Sequence, residues 1–233
     1  MPKIAIYGDS FAHSLEREEN AWYNLLDYDV NLFSHVGSNF WYSYKNFKTN
    51  QDLYDINILF VTNYGRLNIP FLEQPHWPGI QQIDMAMKHP TIDPKSQQIL
   101  LSAHNYLVNV RNDEQTRDEH IALLLELKSY DNLLIIPCFP DEMSLCGDKF
   151  SMYDISIMDT VFYGIDKVDE NGKFVSSNWK PGERRELRAC HMNNANNRIF
   201  ADKITGYIEG KGFKMSKDDF VHPTEPMDYY FAR

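Results

Sequence analysis

Apolar residues fall along this chain in short blocks separated by longer amphipathic stretches. Lys3-Ile4-Ala5-Ile6-Tyr7 is a compact run that ends in Gly8-Asp9-Ser10. Its length and its β-branched and aromatic content predict a buried strand. A second strand is predicted over Asp29 to Ser34, closed by Val36-Gly37-Ser38. A third, strongly apolar, covers Asp55 to Asn63, and a fourth, apolar on both faces, covers Asn132 to Cys138. Between the strands the period lengthens. A polar helical stretch runs from about Phe11 to Tyr28, with Trp22, Leu25 and Leu26 as its apolar side, and a helix rich in Tyr and Phe from about Phe40 to Gln51. Two further helical runs cover roughly Gln97 to Val110 and Asp113 to Lys128, and Asn112 with Gln115 has the spacing of a capping box. The last helix, about Asn194 to Glu209, carries Ile199, Phe200, Ile204, Tyr207 and Ile208 as its apolar positions, with Gly210 and Gly212 to stop it.

Two regions break the alternation. Pro70, Pro75, Pro78, Pro90 and Pro94 interrupt any long helix between residues 64 and 98 and predict a loop-rich insertion. Residues 166–181 are polar and contain Asn171-Gly172, a hairpin signal. Residues 155–163 fit a fifth strand or a loop equally. Strands that alternate with helices imply parallel crossovers, hence an α/β fold of flavodoxin-like three-layer α/β/α form around a parallel sheet. The expected organisation is one domain over residues 1–233, with the insertion at about 64–98 and a tail at about 211–233.

Composition narrows the function classes. Apolar residues make up 43% and aromatic residues 14% of the 233, enough to build a core. The net charge of −10 argues against a general nucleic-acid binder, because phosphate neutralisation needs clustered Lys and Arg. No apolar run reaches membrane-spanning length, and the first residues lack a secretory pattern, so a cytoplasmic protein is expected. Cys138, Cys146 and Cys190 are an odd number with no zinc-ligand spacing. No P-loop or dinucleotide glycine fingerprint is present. The expectation is therefore no cofactor and no metal.

In parallel sheets, ligands gather at the carboxyl ends of strands. Three chemistry-bearing residues sit there. Ser10 closes the first strand and opens the following helix. Alone it would read as a helix cap, since Gly, Asp and Ser are common turn residues. Gly37 follows the second strand and offers a backbone N–H with close approach. Asn63 ends the third, and its amide can donate to an oxyanion. Together a nucleophile and two donors stand at the ends of three successive strands. This arrangement resembles the SGNH hydrolase family, the GDSL esterases and lipases, named for a serine, glycine, asparagine and histidine in four separated blocks. Gly8-Asp9-Ser10-Phe11-Ala12 looks like the first block, Phe33-Ser34-His35-Val36-Gly37-Ser38 like the second, and Phe60-Val61-Thr62-Asn63-Tyr64 like the third. The family often has Gly-x-Asn-Asp in the third block, where this chain has Val61 and Tyr64.

The fourth block would supply the base, and two histidines compete. His191 precedes Asn193 and the terminal helix, as the family's histidine loop does, with Arg188 where the family places an Asp. His222 stands in Asp219-Phe220-Val221-His222-Pro223, the family's Asp-x-x-His-Pro spelling, with only 11 residues after it. His191 is the first candidate on topology. Asp219 with His222 is the alternative, and Asp219 folded back is one source of a carboxylate for His191. The resemblance implies a serine esterase or deacylase with Ser10 as nucleophile and an oxyanion hole of Ser10, Gly37 and Asn63. The implied substrates are small acyl esters, including O-acetylated carbohydrate. The chain also looks like divergent members encoded by tailed phages and by bacterial surface-polysaccharide clusters. The rival expectation is a catalytically silent SGNH-like module that binds carbohydrate or serves in an assembly, motivated by the altered third block and by Arg188. His13 reads as a solvated helix position. Trp77, in the insertion, reads as a loop anchor or as a stacking platform for a sugar ring.

Overall fold

The computed structural model describes residues 1–12, 21–35, 38–62, 66, 83, 87–88, 92–138, 157, 167–168, 174–175, 192 and 194–220. The chain divides into two compact units, Met1–Arg17 with Asp27–Phe150, and Glu18–Leu26 with Ser151–Arg233.

Among the described residues, the first unit is an α/β structure built on four parallel strands: β1 (Lys3–Gly8), β2 (Asp29–Ser34), β3 (Ile56–Val61) and β4 (Leu133–Pro137). Their order is β2-β1-β3-β4. The inner strands explain the unbroken apolar runs. Ile4, Ala5, Ile6 and Tyr7 are fully buried, as are Ile58, Leu59, Phe60 and Val61. Side chains on both faces must be apolar when both faces are covered. β2 lies at the edge, and its residues are exposed or half-buried throughout. The Tyr7 ring stacks on Phe33 at 5.3 Å and meets Phe47 edge-on at 5.6 Å. Its hydroxyl donates to Asn57 Oδ1 at 2.9 Å, which satisfies two buried polar groups at once, and burial pushes the phenol pKa up.

Helix α1 (Phe40–Asn50) follows β2 and starts at Asn39, whose side chain accepts from the Tyr42 N–H at 3.0 Å. Helix α2 covers Pro94–Asn109. The helical pattern predicts a start near Gln97, with Pro94 as an interruption. Pro94 is instead the first helical residue, where its missing N–H costs nothing, and Asp93 caps the turn through the N–H groups of Lys95 and Ser96. Ile83 of the insertion packs with Leu100, beside Met87, Ile92 and Leu107. Helix α3 (Asp113–Leu127) is capped by Asn112, which accepts from Gln115 N. The Gln115 side chain turns forward to Glu119 at 2.8 Å, so the capping box is half made.

In the second unit, helix α4 spans Asn194–Ile208. Gly210 takes a positive φ of 79° after it. Gly210 N–H donates to Tyr207 O and Lys211 N–H to Gly206 O, the pair of bonds that closes a Schellman end. Trp22–Leu25 forms a short 3-10 turn. This replaces the later part of the helix expected from Phe11 to Tyr28, because Trp22 is held by tertiary contacts. Its N–H donates to Asn197 Oδ1 at 3.1 Å and its ring meets Phe200 at 5.0 Å. Short strands β5 (Lys167–Val168) and β6 (Phe174–Val175) pair antiparallel, as the Asn171-Gly172 signal predicts. Of residues 155–163, only Ile157 is described.

Candidate active site

All four strands of the first unit end on one edge of the sheet, at Gly8, Ser34, Val61 and Pro137. β2 lies on one side of β1 and β3 on the other, so the crevice between the ends of β1 and β3 is the topological switch point. Gly8-Asp9-Ser10 leaves β1 there.

The turn is over-determined. A Cβ at Gly8 would stand 2.8 Å from Ala12 Cβ and 2.9 Å from Phe60 Cβ, so only glycine allows this approach. The Gly8 carbonyl accepts from His35 N–H at 3.1 Å and from the Ser38 hydroxyl at 3.0 Å. Asp9 is fully buried. Its Oδ1 accepts from Phe11 N–H at 3.1 Å, and its Oδ2 accepts from the Thr62 hydroxyl at 2.9 Å and from Arg66 Nη1 at 2.7 Å. Arg66 Nη1 also donates to the Ser38 carbonyl at 3.0 Å. A buried carboxylate needs such partners to offset its lost hydration. The network ties the residues after β1, β2 and β3 into one frame. Ser10, beside Asp9, is half-buried at the same edge.

Of the sequence-derived site residues, Ser10 and Asp219 are described, whereas Gly37, Asn63, His191 and His222 lie outside the described residues, as do His13 and Trp77. Asp219 is exposed in the second unit. Its Oδ2 accepts from Lys203 Nζ and from Ser216 N–H, both at 2.8 Å. The Lys203 bond, foremost, holds its pKa below the ordinary carboxylate value.

Sequence reasoning missed Arg66, Trp41 and His120. A cavity of about 240 Å³ opens between the start of α1 and α3, lined by Asn39, Phe40, Trp41, Arg66, Thr116, Glu119, His120 and Leu123. The Phe40 and His120 rings lie 4.3 Å apart. Further along, Glu126 of α3 accepts from Tyr44 Oη at 2.6 Å and from Lys48 Nζ at 2.8 Å, and Lys48 also bonds Tyr130. These contacts set α1 and α3 side by side and running in the same direction. As exposed pairs they fix geometry more than they add stability.

His120 is buried, and desolvation lowers its pKa from 6.5 to about 4. The native imidazole is thus neutral at pH 7. As pH falls from 6.5, the unfolded chain gains a proton that the fold refuses, and stability drops until about pH 4. The loss amounts to about 3 kcal/mol. His120→Phe is expected to flatten this acid limb, read as the urea midpoint at pH 7 minus that at pH 4.5. Parallel slopes in the two proteins would contradict the assignment.

Among the described residues, no three His, Cys, Asp or Glu side chains form a metal-holding group, and no helix is long and apolar enough to cross a membrane. No family model matches the chain, and no curated protein matches it. Among solved structures, the crystal structure of an acetyl xylan esterase, AlAXEase, is similar over 88% of this chain and 99% of its own, at 14% identity and a TM-score of 0.35.

Proposed function

We propose that this chain is a serine ester hydrolase of the SGNH type, acting on small acyl esters through an acyl-serine intermediate, with O-acetylated carbohydrate within its range. The observation that carries the reading is the turn after β1. Asp9 faces inward and is gripped by three donors, while Ser10 stands half-buried at the carboxyl edge, beside the switch point.

In this mechanism an imidazole takes the Ser10 proton as Oγ attacks the carbonyl carbon. The electron pair of the carbonyl moves to oxygen, and the Ser10 N–H, Gly37 N–H and Asn63 amide receive that charge. Each such donor is worth about 100- to 1000-fold in turnover. The tetrahedral species collapses, and the imidazolium returns its proton to the departing alkoxide. Water then repeats the attack on the acyl-serine and frees the acid. His191 is the first candidate for the base. If His222 serves instead, Asp219 can orient it through Oδ1, since Lys203 and Ser216 both bond Oδ2.

Hydrolysis of p-nitrophenyl acetate by His191→Ala and His222→Ala tests the base. His191→Ala should lose about 100- to 10,000-fold in turnover, the usual reach of general-base catalysis. Loss confined to His222→Ala would move the fourth block to Asp219 and His222. Full turnover in both variants would reject the mechanism.

A further inference from the structure

The cavity between α1 and α3 faces the same sheet edge as Ser10. α1 begins where β2 ends, and α3 runs parallel to α1 before entering β4 from the opposite edge. Its wall shares a side chain with the Ser10 turn, because Arg66 both lines the cavity and bonds Asp9. We infer that this cavity is a subsite for one neutral pyranose ring, the alcohol portion of the ester, stacked on the Trp41 indole.

Size, lining and charge each point the same way. At about 240 Å³ the cavity falls below the roughly 300–1,000 Å³ of sites for drug-sized ligands, which suits a single ring. Trp41 stacks on Tyr44 at 5.3 Å yet remains 45% exposed, so it is a braced aromatic plate open to solvent. Such a plate takes the apolar C–H face of a sugar. Around it stand groups suited to hydroxyls. Glu119 Oε1 is held by Gln115, leaving Oε2 as an acceptor, and the Thr116 hydroxyl donates to Asn112 O and so keeps its lone pairs for accepting. An acyl tail would need continuous aliphatic walls, and among the described residues Leu123 is the one aliphatic side chain lining the cavity. An anion would need a cation to itself, but Arg66 Nη1 is already committed to Asp9 and Ser38, and Glu119 stands on the same wall.

The subsite rests on the hydrolase reading for its role but not for its binding, so two measurements separate them. The first is saturation-transfer NMR with the methyl pyranosides of glucose, galactose and xylose. Ring protons of at least one should receive saturation from the wild-type protein and lose it with Trp41→Ala. The second is the ratio of kcat/KM for the mono-O-acetyl forms of those glycosides to kcat/KM for p-nitrophenyl acetate. It should fall about tenfold in Trp41→Ala, the scale of one lost aromatic contact, and fall also in Glu119→Gln. No transfer to any of the three glycosides, transfer unchanged in Trp41→Ala, or an unchanged ratio would overturn the subsite. Saturation transfer that depends on Trp41 without turnover of any ester would uphold the subsite and remove the hydrolase reading.

Discussion

Ser10→Ala is expected to lower p-nitrophenyl acetate turnover by at least about 1000-fold, leaving the residue of rate that binding and oxyanion donors supply without a nucleophile. Its stability should be that of the wild type within about 0.5 kcal/mol, because Ser10 is half-buried and the change removes a single oxygen atom. Urea unfolding checks this second half. A large rate loss with an unmoved midpoint is what a nucleophile predicts. Turnover that survives in Ser10→Ala would place the chemistry elsewhere.

Asp9→Ala is the largest stability loss expected from the candidate site. The substitution takes the carboxylate partner from the Thr62 hydroxyl, the Phe11 N–H and the Arg66 guanidinium, and leaves Arg66 its bond to the Ser38 carbonyl beside a cavity that a fully buried carboxylate had filled. Removing one partner of such a pair costs about 3–5 kcal/mol, since the remaining group loses both its charge partner and its water. Arg66 is 24% exposed and regains part of its hydration, which places the expectation at the lower end of that range. Turnover should fall as well, because Asp9 fixes the turn that presents Ser10. The equilibrium midpoint in urea reads the first effect and p-nitrophenyl acetate the second. A loss under about 1 kcal/mol would mean that the network adds nothing beyond what solvent supplies.

Part of this architecture is legible in the amino-acid pattern, and the physical reasons differ by element. β1, β3 and β4 show themselves because a strand covered on both faces admits apolar residues at every position. Helices α1 to α4 follow from their helical period, and the Asn112 cap marks the start of α3; the caps at Asn39 and Asp93 come from the structure. Pro94 misleads because proline breaks a helix interior yet suits its first residue. Trp22 misleads because its partners, Asn197 and Phe200, lie far along the sequence, and no local period records them.

The candidate site divides the same way. The spelling Gly8-Asp9-Ser10 at a strand end marks the turn, and the steric demand at Gly8 is what that spelling encodes. Arg66 leaves no such mark. It is a lone arginine in a loop, and its partner Asp9 is 57 residues away. Trp41 is hidden among the aromatics of α1. His120 sits in an acidic helix that reads as solvated, and its burial comes from packing against Phe40.

Hydrolysis by this chain requires that the Ser10 hydroxyl be an activated nucleophile. Fluorophosphonate treatment of the intact protein, followed by trypsin and mass spectrometry, tests it most directly. Cleavage after Lys3 and Arg17 isolates residues 4–17, which contain both Ser10 and Ser14. One phosphonyl adduct is expected on that peptide, with fragment ions that place it on Ser10 and not on Ser14. An unmodified peptide between pH 6 and 9, or an adduct on any other residue, would contradict it.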